Sequence, residues 1–131
     1  MGVRLIGWLI NICLLGLIPC IARLFVWAIS HSGVDPVAIS DLVAFGLVVH
    51  SANINEISRS GSSGTWKTLF GGVSIVFIVI YGLLLFTTIA SSNELDPMAM
   101  MHATELLSLA SFVVGGTVVM TSISRHDRKW A

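Results

Sequence analysis

Seven side chains in this 131-residue chain have types that could do chemistry in otherwise apolar surroundings. Arg23, Asp41 and Glu105 lie inside apolar stretches, with His102 one helical turn from Glu105. A cation set among acids in a low dielectric can form a structural ion pair, snorkel to a polar boundary, or build an ion or proton site. His50, Asn53 and Glu56 follow one another at helical spacing. There an imidazole could relay protons, and an amide and an acid could line a polar vestibule. The pattern fits no nucleophile, base and oxyanion donor, no haem site with two facing histidines, and no metal cluster.

The composition says what holds these groups. Hydrophobic residues make up 55% of the chain and charged ones 11%, against roughly 25% charged in a soluble domain. A net charge of zero with a mean hydropathy of +0.91 excludes a disordered chain and a basic nucleic-acid binder. The expectation is an all-α integral membrane protein in contact with lipid and without a cofactor. A helix needs roughly 20 apolar residues to cross a hydrocarbon core. Four stretches meet that need, at about 5–30, 36–58, 66–91 and 97–124, giving one four-helix transmembrane domain over residues 1–131. Asp35-Pro36 and Asp96-Pro97 each offer a cap followed by a proline suited to the first helical turn. A linker over 59–66 contains Ser60-Gly61-Ser62-Ser63-Gly64-Thr65 and separates two hairpins.

Lysine and arginine accumulate in cytoplasmic loops. Arg4, Arg59, Lys67, Arg125, Arg128 and Lys129 flank the termini and the linker, whereas the other two loops hold Asp35, Glu94 and Asp96. Both termini are therefore expected in the cytoplasm, the plasma membrane of a bacterium being the expected location. Trp8, Trp66 and Trp130 then fall near the inner interface and Trp27 near the outer one, as in an aromatic belt.

Counting inward from Arg4, Arg59 and Arg125 brings Arg23, Asp41 and Glu105 to a similar depth near the outer boundary. A pair between Arg23 and Asp41 that fixes helix register is the leading expectation. His50, about fourteen residues beyond the Asp35 cap, is expected near the inner boundary as an interfacial imidazole at a helix end, with Asn53 and Glu56 passing into the cytoplasm. Small residues at Gly71 and Gly72 in the third stretch, and at Ser111, Gly115 and Gly116 in the fourth, are expected to let helices approach closely. Cys13 and Cys20, seven residues apart on one helix, are too distant for a disulfide and read as packing residues.

The two halves share an order of features. Asp35-Pro36, Asp41 and Ile57-Ser58-Arg59 correspond to Asp96-Pro97, Glu105 and Ile123-Ser124-Arg125. This order suits a parallel internal duplication, and it equally suits the positional rules that every outside-to-inside helix obeys. Asn53-Ile54-Asn55-Glu56 matches an Asn-x-x-Glu element of glutathione-handling membrane enzymes, but Ser51 stands where their histidine would be. In length, orientation and the acidic loops at Asp35, Glu94 and Asp96, the chain resembles the small four-span subunits of phage-exclusion and antiphage systems such as Rex and Kiwa. That resemblance implies a non-enzymatic membrane subunit that oligomerises, or that anchors a protein complex through its cytoplasmic linker and basic tail. The alternative is a small oligomeric ion channel or proton-coupled transporter with Arg23, Asp41, Glu105 and His102 at its outer mouth.

Overall fold

The computed structural model describes residues 2–30, 33–60, 64–90 and 96–127, with backbone alone for 2–5, 13, 123 and 125–127. The described residues form helices and no strands. Helix α1 (Gly2–Asn11) runs through one π-helical turn (Ile12–Gly16) into α2 (Ile18–Ile29), and α3 (Ile39–Arg59), α4 (Thr65–Ala90) and α5 (Pro97–Asp127) follow. Loop residues 31–32 and 91–95, most of the linker's glycine-serine run, and the basic tail beyond 127 lie outside the described residues, and with them the expectations placed on Glu94, Arg128, Lys129 and Trp130.

The first stretch is a bent pair of helices, with 47° between its two halves. Pro19 has no backbone N–H to give to the preceding turn, and its ring crowds the carbonyl four residues back. The wider π turn sits immediately before it and takes up the mismatch. The second stretch also departs from expectation at its start. Residues 33–38 are not helical, Ala38 is the N-cap in extended conformation, and no side chain caps the helix. Asp35-Pro36 therefore ends a loop, and α3 begins three residues beyond that proline. The second Asp-Pro behaves as anticipated: α5 starts at Pro97, and Asp96 Oδ1 accepts a hydrogen bond from the Met98 amide at 3.0 Å.

Two helices, α4 and α5 as far as Ser122, are long and apolar enough to cross a membrane, and the N-terminal pair qualifies when its two halves are taken as one bent span. Asp41, His50, Asn53, Asn55, Glu56 and Arg59 make α3 more polar, and α3 is the helix against which all the others pack. The N-terminal segment and α4 run antiparallel to it and α5 parallel, while α4 and α5 scarcely touch each other. Such an arrangement buries Asp41, His50 and Asn53 of the polar helix in protein and leaves much of the apolar surface of the other helices exposed. Leu69, Val76, Leu83, Phe86 and Ile89 on α4 are all exposed.

One apolar cluster joins Trp8 and Ile12 to Val49 of α3 and Val119 of α5, and a second joins Ile57 to Trp66 and Val118. Trp8 and Trp66 are thus core residues and not members of an interfacial belt, because each indole is covered by α3 and its neighbours. Trp27 is half exposed. Close approach occurs at glycines other than most of those expected. A Cβ on Gly46 would lie 2.0 Å from Tyr81 Cζ, and one on Gly115 would lie 2.8 Å from Trp8 Cζ2. By contrast, a Cβ on Gly71, Gly72 or Gly116 would meet nothing within 4 Å. These three do not seat a neighbouring helix among the described residues, because each lies on a helix surface that no other helix covers.

Gly46 therefore has to lack a side chain. Gly46→Ala is expected to displace the Tyr81 ring and lower stability by about 1–3 kcal/mol. Gly72→Ala, with open space and a better helix former, should be neutral or stabilising by up to about 1 kcal/mol. Thermal unfolding of the two variants in the same detergent measures the difference.

Candidate functional site

The polar side chains of α3 face successive neighbours along its length. Asp41, in its first turn, receives the Arg23 guanidinium of α2 through Nε. Asp41 is nearly buried, while the Arg23 side chain keeps 31% of its surface exposed. A charge at this position would be expensive alone, and the partner supplies both countercharge and hydrogen bond. Glu105 does not join them. It is exposed and lies against His102 of its own helix, His102 Nδ1 to Glu105 Oε2 at 3.4 Å. The expected group of four thus separates into an interhelical pair and an exposed pair one turn apart. Arg23 and Glu105 do line the same open cavity of about 950 Å³, with Thr88, Ser40 and Asp35 on its walls.

His50 is fully buried, the twelfth of the 21 residues of α3, and not an interfacial group at a helix end. The expectation counted from Asp35. Because 36–38 are not helical, the helix begins later and His50 falls at its middle. Its ring stacks on Phe77 of α4 with centroids 4.5 Å apart. Its Nε2 lies 3.0 Å from Ser111 Oγ of α5, and the same oxygen lies 2.8 Å from the Tyr81 hydroxyl of α4 and 2.8 Å from the Leu107 carbonyl.

Hydrogen-bond inventory fixes the roles in this group. A serine hydroxyl has one proton to give and two lone pairs to receive with. The Leu107 carbonyl can only accept, so the Ser111 proton goes there. All three contacts are hydrogen bonds when the Tyr81 hydroxyl and His50 Nε2–H both donate to Ser111. That assignment puts a proton on His50 Nε2, and it binds α3, α4 and α5 at one point. The buried Tyr81 ring reaches this point because Gly46 lets it cross α3.

One turn further along, the Trp8 indole donates to Asn53 Oδ1 at 3.4 Å, joining α1 to α3. The next turn carries Glu56, whose Oε1 accepts from Ser122 of α5 at 2.7 Å. Trp8, Ala52, Asn55, Glu56 and Arg59 line a cavity of about 300 Å³ at this end. Asn53 is fully buried and Glu56 only half so. Of the two residues expected to line a polar vestibule, Glu56 lines this cavity and Asn53 lies in the protein interior. Among the described residues no set of three His, Cys, Asp or Glu converges as a metal site.

Tyr81, Gly46, Trp8 and Ser122 were not among the candidates read from the sequence. Tyr81 carried a usable signal as the chain's one tyrosine, placed within an apolar span where a phenol needs a hydrogen-bond partner. Comparison with protein-family models, with curated proteins and with solved structures gives no match.

The Arg23–Asp41 pair is expected to couple in a double-mutant cycle. Arg23→Ala and Asp41→Ala should each destabilise the fold, and the double variant should lose less than the two single losses combined, with a coupling of about 0.5–3 kcal/mol. Exchanging the two residues should recover part of the loss. Unfolding midpoints in detergent provide the check, and strictly additive losses would show that the pair contributes nothing as a pair.

Proposed function

We propose that this chain is a non-enzymatic membrane subunit with four spans and both termini in the cytoplasm, which acts by oligomerising or by anchoring a partner complex. One observation carries the reading: the functional-looking side chains of α3 are each turned onto a neighbouring helix, α1, α2 or α5. Asp41 meets Arg23, His50 meets Ser111, Asn53 meets Trp8, and Glu56 meets Ser122. Groups used in this way set helix register, and an intramembrane polar residue with a structural partner is a register device before it is a catalyst.

The spans are α1 with α2, then α3, α4 and α5. Enclosure by the others lets α3 cross despite its polar residues. Orientation rests on the basic residues at the termini and the linker. The resemblance in plan to phage-exclusion and antiphage subunits is one instance of such a role. The channel reading has the charged cavity beside Arg23 and Glu105 in its favour. The paired and buried middle of α3 favours the subunit.

Labelling of single introduced cysteines in intact cells tests the orientation. Gly33→Cys should react with an impermeant maleimide from outside, and Ser60→Cys only after lysis. Protein reconstituted in liposomes should leave a potassium gradient intact and run as an assembly larger than one chain by native mass spectrometry. A potassium leak that Asp41→Asn or Glu105→Gln abolishes would replace the subunit reading by the channel.

A further inference from the structure

The hydrogen bonds at the middle of α3 leave three buried polar atoms without a protein partner: His50 Nδ1, Asn53 Nδ2 and Ser74 Oγ. All three residues are fully buried. Their chemistry is complementary. With the His50 proton on Nε2, its Nδ1 is a bare acceptor. Because Asn53 Oδ1 takes the Trp8 indole proton, Nδ2 is a donor facing elsewhere. The Ser74 hydroxyl can do both.

Helix register brings them to one level. Gly46 meets Tyr81, and His50 meets Phe77 one turn later along α3 and one turn earlier along α4. The next turn sets Asn53 opposite Ser74, and the one after it brings Ile57 to the Trp66 and Phe70 cluster. The face of α4 toward α3 is thus an aromatic stripe, Trp66, Phe70, Phe77 and Tyr81, interrupted by the small Ser74. Ser74 is the small side chain in a row whose neighbours are rings, and the register sets it at the level of the three unpartnered atoms.

A buried polar atom without a partner is costly, and a molecule that accepts from Asn53, donates to His50 and exchanges with Ser74 removes that cost for all three. Water has the size and the two-sided hydrogen bonding for this. We propose that His50, Asn53 and Ser74 form a buried water site in the middle of the bundle, through which protons exchange with the His50 imidazole. The site adjoins the cavity at the Glu56 end, since Trp8 both lines that cavity and bonds to Asn53. In an exchange event a proton arriving on the water passes to Nδ1 and a proton leaves Nδ1 to the water again, so the ring returns to its neutral form while the Nε2, Ser111 and Tyr81 protons stay where the hydrogen bonds hold them. Among the described residues the groups facing His50 are Phe77 and Tyr81 from α4 and Ser111 from α5, Tyr81 being the one titratable side chain of these three. Asp41 and Glu56 lie further along α3 itself, each at least a turn away. This site stands apart from the subunit role, which neither requires nor forbids it.

Magic-angle-spinning NMR of the full chain in phospholipid liposomes decides the matter. His31→Gln, His102→Gln and His126→Gln together leave His50 the one histidine signal. The expected spectrum shows the Nε2–H tautomer with a water-to-imidazole exchange cross-peak. Ser74→Ala should abolish that cross-peak, and Ser74→Thr, which keeps the hydroxyl, should retain it. A spectrum of the Ser74-containing protein with no water cross-peak overturns the proposal whether or not the variants fold, and so does a cross-peak that survives undiminished in Ser74→Ala.

Discussion

Everything in this fold depends on keeping the polar side chains of α3 supplied with hydrogen-bond partners where lipid supplies none. A buried carboxylate, imidazole or amide requires a partner at a fixed place. α3 presents all three kinds, at Asp41, His50 and Asn53 with the half-buried Glu56 beyond them, spaced at about one to three turns, to three different neighbours. The helix that is poorest in apolar character therefore becomes the axis around which the apolar ones are set. Without it α4 would have almost nothing to pack on, because α4 and α5 scarcely meet.

Packing and hydrogen bonding reinforce each other at the centre. Gly46 admits the Tyr81 ring, the ring brings its hydroxyl to Ser111, and Ser111 collects His50 from the other side. Each bond alone is modest, on average about 0.6 kcal/mol for an interhelical hydrogen bond in a membrane protein. Their shared dependence on one oxygen, Ser111 Oγ, makes them cooperative: removing it would leave two buried donors unmatched. The bend at Pro19 belongs to the same design, since it redirects α2 beyond the point where Gly16 packs against Phe45 and allows Arg23 to reach Asp41.

The sequence carried part of this. Arg23 and Asp41 could be matched because each lies about twenty residues from a basic boundary, and depth along a helix is a simple count. A count from the other end, starting at Asp35, misplaced His50, because Pro36 and the two residues after it are not helical and no composition rule reports that. Glu105, counted to the depth of the ion pair, is exposed and meets His102 of its own helix instead, an outcome that depends on rotation about the α5 axis. Trp8 sits where an interfacial tryptophan would, and its real partner, Asn53, is 45 residues away. Contacts such as Gly46 with Tyr81 depend on register between two helices, and register is a property of the pair and not of either segment.

The central claim is that α3 is the common partner of the other helices, and cysteine cross-linking in native membranes tests it most directly. In a chain with Cys13 and Cys20 replaced by alanine, three pairs each join α3 to a different neighbour: Gly16→Cys with Val48→Cys, Gly46→Cys with Tyr81→Cys, and Val49→Cys with Gly115→Cys. The account predicts that all three form intramolecular disulfides under mild oxidation, detected by mass spectrometry, and that Gly72→Cys with Gly116→Cys, joining α4 to α5, does not. Efficient cross-linking of the α4–α5 pair with none to α3 would contradict it.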